Sequence, residues 1–249
     1  MLFSSFLQIG RVMCLDTLPH VSAIILAGGS GKRMHSPTPK QLLDLLGRPV
    51  IAWAIGAFDD SPFIQSVVVV RPAGDSATER VIRQYPFRKI HSIVPGGPER
   101  QDSVRAGLEA LPESCTYVAV HDGVRPAVTG DLIQRVIEAA FQYGNAIAAV
   151  PVSDTLKSVR DGMVAGTLDR ANLWQAQTPQ VFSRNTLVKA HELAVQQGSC
   201  GTDDATLVER VGEDIAVVCG ARENVKITTP VDLAVAREIL SARLLGGKT

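Results

Sequence analysis

The chain has 249 residues, of which 45% are hydrophobic and 20% charged, and its formal net charge is zero. A neutral chain offers no overall basic charge to nucleic acid, so no such partner is predicted. No segment approaches the roughly 20 apolar residues of a membrane span. The length suits one large domain or two small ones.

The four cysteines, Cys14, Cys115, Cys200 and Cys219, are scattered and form no C-x-x-C pair or zinc-type spacing with histidine. This usage is typical of reduced thiols in a cytoplasmic protein. Residues 1–20 precede the first predicted strand and lack the positive segment and cleavage site of a signal peptide. We predict that they form a disordered extension, with Met13 as an alternative start.

From Val21 onward, apolar runs rich in β-branched residues alternate with segments of helical periodicity. Pro49 suits the first turn of a helix, and Ile133, Val136, Ile137 and Ala140 share one helical face. The predicted strands are 21–26, 64–70, 90–94, 117–121, 146–152 and 215–218. The predicted helices are 49–58, 75–85, 100–111, 131–143, 185–197, 203–211 and 230–245.

The strands are continuous apolar runs rather than alternating ones, as expected for strands buried on both faces. Alternation with helices then predicts an α/β protein, with a Rossmann-like, doubly wound and mostly parallel sheet flanked by helices. Ligands of such folds bind beyond the carboxyl ends of the strands.

Residues 153–177 break this alternation. They are polar, and Asp161-Gly162 between short alternating segments is typical of a hairpin turn. An isolated hairpin is only marginally stable. We therefore predict a β-arm that leaves the domain and packs on something else, such as a second subunit.

A glycine-rich, cationic loop follows the first strand, in the segment "ILAGGSGKRMHSPTPKQ" from Ile25 to Gln41. It is not a Walker A loop, because Lys32 is followed by Arg33 and not by Ser or Thr. It also lacks the third glycine of the dinucleotide fingerprint. Glycine backbone N–H groups and nearby cations suit phosphate binding. The alternative is a basic surface turn.

A second polar segment, "HDGVRP" from His121 to Pro126, ends another buried strand. Asp122 at the strand tip is suited to bind a divalent cation, and Arg125 is close enough to bind an anion held by that metal. The alternative is an Asp-Gly turn with an incidental arginine. Two polar segments of this kind, each following a buried strand at the same edge of the sheet, favour a ligand site over incidental turns.

Seven segments occur in an order that resembles the 2-C-methyl-D-erythritol 4-phosphate cytidylyltransferase family, and together they span nearly everything after Val21. They are "LAGGSGKRM…PKQ" (26–41), "GGPERQDSV" (96–104), "HDGVRP" (121–126), "DTLK" (154–157), "DRANLWQAQTPQVF" (169–182), "TDDATLVE" (202–209) and "NVKITTPVDL" (224–233). Each alone is shared among nucleotidyltransferases, whereas the ordered set is more specific.

The resemblance implies one nucleotidyltransferase domain over residues 21–249, which converts CTP and methylerythritol phosphate into CDP-methylerythritol and pyrophosphate with Mg²⁺. The attacking group is the substrate's own phosphate, so no nucleophilic side chain or general base is needed. Catalysis then comes from positioning and charge stabilisation. In this family the β-arm reaches into the other subunit's site, which implies a homodimer.

The resemblance also implies roles for individual residues. Those near the reacting phosphates are Arg33, Lys40 and Lys226. Those at the nucleotide are Ala27, Gly28, Gly29, Gly31, Lys32, Gly97, Ser103 and Asp122, with Gly96 beside Gly97. Asp122 is also the implied metal ligand. Those at methylerythritol phosphate are Arg125, Thr155, Arg170, Thr178 and Thr202.

Some positions depart from the usual family pattern. Gly28 stands where "LAAG" has alanine, "HDGVRP" replaces "HDAARP", and Pro98 has no N–H to offer a base. Several segments also resemble ribitol 5-phosphate cytidylyltransferases, so ribitol phosphate is the alternative substrate. A non-catalytic nucleotide-binding protein is a further alternative, which the retained cations and Asp122 argue against.

Three histidines, His35, His91 and His191, have no partner in the sequence and are predicted at the surface. His121 is expected to be a satisfied polar group at the strand end. Thr202 is expected to cap the helix that follows it.

Overall fold

The computed structural model describes residues 19–28, 34 and 36–246. Its strands are β1 (Val21–Leu26), β2 (Asp44–Leu45), β3 (Arg48–Pro49), β4 (Ser66–Arg71), β5 (Ile90–Pro95), β6 (Tyr117–Asp122), β7 (Asn145–Pro151), β8 (Lys157–Arg160), β9 (Met163–Thr167), β10 (Trp174–Ser183) and β11 (Ala216–Cys219). The predicted extension at residues 1–20 lies outside this description up to residue 18.

Seven helices accompany these strands within the described ranges. They are α1 (Val50–Asp60), α2 (Ser76–Ile82), α3 (Arg100–Glu109), α4 (Gly130–Tyr143), α5 (Arg184–Gln196), α6 (Asp204–Arg210) and α7 (Pro230–Gly246). A short 3-10 turn also covers Lys40–Leu42. None of the helices described is long and apolar enough to cross a membrane.

The main sheet has seven strands in the order β11-β7-β10-β6-β1-β4-β5. β1 pairs in parallel with β4 and β6, β4 with β5, and β7 with β11. The fold prediction of a mostly parallel sheet flanked by helices is confirmed. β10, which the sequence did not predict, runs antiparallel between β6 and β7.

The sheet is covered on both faces, which explains the continuous apolar strands. On one face, β1 residues Ala23 and Ile25 pack with Phe58 of α1 and Val136 of α4. On the other face, Ile24, Leu26 and their neighbours pack with residues of α3, α5 and α6. All six residues of β1 are buried. Successive side chains of a strand point to opposite faces of the sheet, so the residues of β1 are buried on both faces. Its one polar residue, Ser22, shares a hydrogen bond with the Ser66 hydroxyl at 2.7 Å.

The predicted hairpin is present as the β8–β9 pair. Asp161 and Gly162 have φ angles of 52° and 78°, the left-handed values that a type I′ turn requires. The hairpin lies between β7 and β10 in the chain. Because β10 begins at Trp174, residues 174–177 belong to the main sheet and not to the arm.

The start of α6 differs from the prediction that Thr202 caps this helix. Asp203, and not Thr202, is the N-cap of α6, where its side chain accepts a hydrogen bond from the backbone N–H of Thr206. Asp is at least as good a cap as Thr. Thr202 instead shares a hydroxyl–hydroxyl contact with Thr206, 3.1 Å apart.

Candidate active site

The carboxyl edge of the sheet brings together segments that are far apart in sequence. Leu26 at the end of β1 is paired with Asp122 at the end of β6, and Arg71 at the end of β4 with Pro95 at the end of β5. Because these strands are parallel, the residues after them meet at one edge. β10, which runs the other way, starts at this edge and brings Thr178 to it.

Asp122 is the centre of the charged cluster at this edge. Its Oδ2 lies 2.8 Å from Lys226 Nζ and 3.6 Å from Arg125 Nε, and its Oδ1 lies 3.5 Å from Arg100 Nε. Burial alone would raise the pKa of Asp122. The three cations outweigh that effect and hold the pKa well below its usual range, so the carboxyl group stays ionised at neutral pH.

Thr178 ties β10 to the tip of β6. Its hydroxyl accepts the backbone N–H of Asp122 at 3.1 Å and lies 3.0 Å from Nδ1 of His121. His121 Nε2 lies 3.2 Å from the carbonyl oxygen of Arg125. A carbonyl only accepts, so Nε2 carries the proton and the Thr178 hydroxyl donates to Nδ1. Burial lowers the pKa of His121 to about 4, which fits a satisfied neutral group.

Hydrogen bonds also join the segment around Asn224 to Thr178 and to the segment that follows β6. Asn224 Nδ2 donates to the carbonyl of Thr178 at 2.8 Å, and the backbone carbonyl of Asn224 accepts from Arg125 Nη1 at 2.7 Å. Ile227 N–H donates to the carbonyl of Val124 at 2.9 Å. These contacts bring Lys226 to Asp122. They also occupy part of the Arg125 guanidinium, which is largely buried.

Arg100, at the first position of α3, was not predicted as a site residue. Its Nη1 lies 2.7 Å from Oδ2 of Asp204, and His191 Nε2 lies 3.1 Å from the other oxygen of that carboxylate. His191 is 2% exposed, so its predicted surface position is wrong. The sequence did indicate that His191 is buried, because it lies on the same helical face as Leu187, Ala190 and Ala194, which are buried.

The segment after β5 packs tightly against α3 at Gly96 and Gly97, and we call these two residues the glycine wall. A Cβ on Gly96 would lie 2.5 Å from Ser103 Oγ, and one on Gly97 would overlap Asp102 Cβ. Only glycine permits this approach. Ser103 Oγ donates to the carbonyl of Glu99 at 3.2 Å. Across β4 from this wall, Ala27 is fully buried.

The departures from the family pattern have different spatial consequences. Its chain neighbours aside, a Cβ on Gly28 would lie more than 4 Å from every atom of the residues that the structure describes. A Cβ on Gly123 would lie 2.9 Å from the carbonyl oxygen of Leu26. Glycine at position 123 therefore lets β6 approach the end of β1 closely.

The remaining predicted residues belong to other segments of the chain or lie outside the described residues. Thr155 and Arg170 belong to the exposed arm region, where Arg170 donates to the carbonyl of Ser153. Lys40 begins the 3-10 turn. Gly29, Gly31, Lys32 and Arg33 lie outside the description, as does His35. His91 is exposed as predicted.

Comparison with known proteins identifies the family of this chain. A family model described as 2-C-methyl-D-erythritol 4-phosphate cytidylyltransferase (IspD) matches residues 21–242. The chain belongs to this family. Similar relatives of that name are the protein of Syntrophus aciditrophicus, 48% identical over 89% of this chain and 96% of its own, and that of Pelotomaculum thermopropionicum, 46% identical over 90% and 95%.

Solved structures of the IspD family share the fold. The 4-diphosphocytidyl-2C-methyl-D-erythritol synthase of Anaerococcus prevotii matches with a TM-score of 0.78 and 30% identity, covering 89% of this chain and 98% of that one. The 2-C-methyl-D-erythritol 4-phosphate cytidylyltransferase of Thermus thermophilus matches with a TM-score of 0.73 and 34% identity, covering 88% and 98%. These names do not favour the ribitol phosphate alternative.

Proposed function

We propose that this protein transfers the CMP group of CTP to 2-C-methyl-D-erythritol 4-phosphate in isoprenoid biosynthesis. A phosphate oxygen of the methylerythritol substrate attacks the α-phosphorus of CTP. A new P–O–P linkage forms, the bond to the β-phosphate bridging oxygen breaks, and pyrophosphate leaves. No proton has to be removed from the attacking phosphate anion, so the protein needs cations and precise positioning rather than a base.

The observation that carries this proposal is the convergence of Lys226, Arg125 and Arg100 on Asp122 at the carboxyl edge, within a family that performs this transfer. The cations concentrate positive charge where a triphosphate and a second phosphate would meet. The glycine wall and Ser103 line one side of the same edge, where backbone groups suit a small pyrimidine.

We assign roles on this basis. Arg33, Lys40 and Lys226 neutralise the charge that develops at the α-phosphate. The nucleotide is bound by the loop after β1 (Ala27, Gly28, Gly29, Gly31 and Lys32) and by Gly97, Ser103 and Asp122. Methylerythritol phosphate is bound by Arg125, Thr155, Arg170, Thr178 and Thr202.

The chemistry of Asp122 fits a magnesium ion carried mainly by the nucleotide. In the described ranges no group of three or more His, Cys, Asp or Glu side chains is placed to hold a metal. Mg²⁺ in nucleotide sites commonly takes one or two carboxylates plus substrate phosphates, and Asp122 supplies one. When bound, the ion would neutralise phosphate charge at the transition state.

The arm supports a homodimer in which each subunit completes the other's site. Its apolar side chains Val159, Met163 and Val164 are 62%, 74% and 65% exposed. Such a patch usually marks a protein contact. Thr155 and Arg170 have no described contact with the Asp122 cluster of their own chain. We therefore assign them to the partner's substrate site.

Two further assignments follow the same reasoning. We propose a cytoplasmic location, since Cys115, Cys200 and Cys219 are free thiols. We also propose that residues 21–249 form one catalytic domain. The function is tested by incubating the protein with Mg²⁺, methylerythritol phosphate and, in turn, CTP, UTP and ATP. Pyrophosphate release with CTP is expected, and equal release with ATP would contradict the pyrimidine pocket.

A further inference from the structure

Four side chains from four elements, three of them buried and Arg100 partly exposed, form a series of polar contacts that ends on Asp122. His191 Nε2 donates to Asp204 Oδ1 at 3.1 Å, and Arg100 Nη1 donates to Asp204 Oδ2 at 2.7 Å. The Nε of the same arginine then lies 3.5 Å from Asp122 Oδ1. We call His191, Asp204 and Arg100 the relay. It connects α5, α6 and α3 to the tip of β6.

Arg100 is bound unequally by its two carboxylates. The 2.7 Å distance to Asp204 is typical of a strong charge-assisted hydrogen bond, whereas 3.5 Å to Asp122 is at the limit for any hydrogen bond. Asp204 therefore holds the guanidinium back from Asp122. As a result, the Asp122 carboxylate is stabilised by a nearby cation but keeps lone pairs available to a ligand.

His191 fixes the orientation of Asp204. A carboxylate only accepts, so His191 carries its proton on Nε2, and its buried Nδ1 has no hydrogen-bond partner among the described residues. Burial would raise the pKa of Asp204, but Arg100 and the His191 contact outweigh it and lower that pKa. The histidine occupies one oxygen of Asp204, which leaves the other for Arg100.

The elements that carry the relay are themselves joined. Gln101 on α3 donates to the carbonyl of Ser199 and accepts from Gly201 N–H, both before α6. Gln180 on β10 donates to Asp203 at 2.7 Å and accepts from Ala205 N–H. These bonds connect α3 and β10 to the start of α6, next to Asp204.

We propose that His191 and Asp204 are positioning residues that hold Arg100 at a fixed distance from Asp122 and thereby keep this carboxylate oriented for substrate. The inference rests on the proposed role of Asp122. It assigns no direct substrate contact to His191 or Asp204.

Asp204→Asn tests the charge that holds Arg100. The amide keeps the shape but loses the charge, so Arg100 is expected to move toward Asp122. We expect kcat to fall by about 10- to 100-fold, as for residues that orient a metal-ligating side chain, the role implied for Asp122. The Kd for CTP, measured by calorimetry without the second substrate, is expected to rise as well, because Asp122 is also assigned to the nucleotide. A kcat equal to that of the wild type would overturn the proposal.

His191→Gln and His191→Leu separate positioning from packing. Glutamine can present an N–H to Asp204 and leucine cannot, so Gln is expected to retain most of the kcat that Leu loses. Equal kcat values for the two variants would contradict the role of this hydrogen bond.

Asp59→Asn is the matched control. Asp59 is also a buried carboxylate, but it accepts N–H groups of Arg88 and Lys89 and has no contact with the relay. The Asp59→Asn substitution is expected to lower the unfolding temperature without lowering kcat. An equal loss of kcat in Asp59→Asn and Asp204→Asn would mean that stability alone explains the effect.

An NMR resonance of Arg100 tests the relay without measuring activity, so an error in the relay can be distinguished from an error in the proposed function. In protein with ¹⁵N-labelled arginine, the Arg100 Nε–H resonance, assigned with Arg100→Lys, is expected to shift in Asp204→Asn and His191→Leu. It is expected to stay in place in Asp59→Asn. An unchanged resonance in Asp204→Asn would overturn the relay even if the wild type is fully active.

Discussion

Lys226 Nζ lies 2.8 Å from Asp122 Oδ2, and the two side chains differ sharply in exposure, at 41% and 10%. The lysine thus reaches from solvent to a buried carboxylate that Arg100 and Arg125 already flank. Its ammonium group is anchored, yet it remains open to an incoming phosphate. This geometry supports the proposed role of Lys226 at the reacting phosphates.

Lys226→Met is expected to lower kcat by about 100- to 1,000-fold, as when one stabiliser of developing charge is removed. The free energy of unfolding is expected to fall as well, because Lys226 is one of the three cations that compensate the charge of the buried Asp122 carboxylate. Arg237→Met is the control, since Arg237 is similarly exposed and its ion pair is with Asp44. Steady-state kinetics of both variants provide the check, and equal activities would refute the assignment.

Thr178→Val is expected to destabilise the protein, because it leaves the Asp122 N–H and His121 Nδ1 without their partner. Each buried group left unpaired costs about 1–3 kcal/mol. Thr178→Ser keeps the hydroxyl and is expected to lose about 1 kcal/mol for the missing methyl group. Urea unfolding measures both variants. Equal stabilities would show that the hydroxyl contributes nothing.

The stability of the wild type is expected to fall as pH decreases from about 6.5 to about 4 because of His121. Its folded pKa is lowered to about 4, whereas the unfolded side chain titrates near 6.5. The unfolded state therefore binds more protons in this window, and the loss amounts to about 1.4 kcal/mol per pH unit at most. Urea unfolding compares the wild type with His121→Gln, which is expected to have a shallower pH slope. Identical slopes would contradict the assignment.

Met163→Asp combined with Val164→Asp is expected to weaken dimerisation, because both side chains are exposed on the arm. The control is Val231→Asp, which changes a valine that is 71% exposed at the start of α7. Light scattering over a dilution series measures the mass of each protein. A dimer as stable as the wild-type dimer in the arm variant would exclude the arm as the interface.

The helix and strand pattern was largely predictable because both faces of each parallel strand are apolar. β10 was missed because Gln175, Gln177 and Thr178 make its first half largely polar and Pro179 interrupts its pattern, and proline is disfavoured inside a sheet. In the structure, the pairing with β7 shifts register between Ala176 and Gln180, which accommodates this proline. Local sequence carries no sign of that arrangement.

The position of Asp122 was predictable, because one motif places this carboxylate at the end of a buried strand. The relay was not, because its contacts join α3, α5 and α6 across long sequence separations. Asp204 was not among the predicted site residues. In the structure this carboxylate is buried and its charge is balanced by Arg100.

The most direct test is pyrophosphate release by the wild-type protein with CTP and Mg²⁺, with methylerythritol phosphate and ribitol 5-phosphate supplied separately. We expect release with methylerythritol phosphate and little with ribitol phosphate. Release with ribitol phosphate alone, or with neither substrate, would contradict the proposed function.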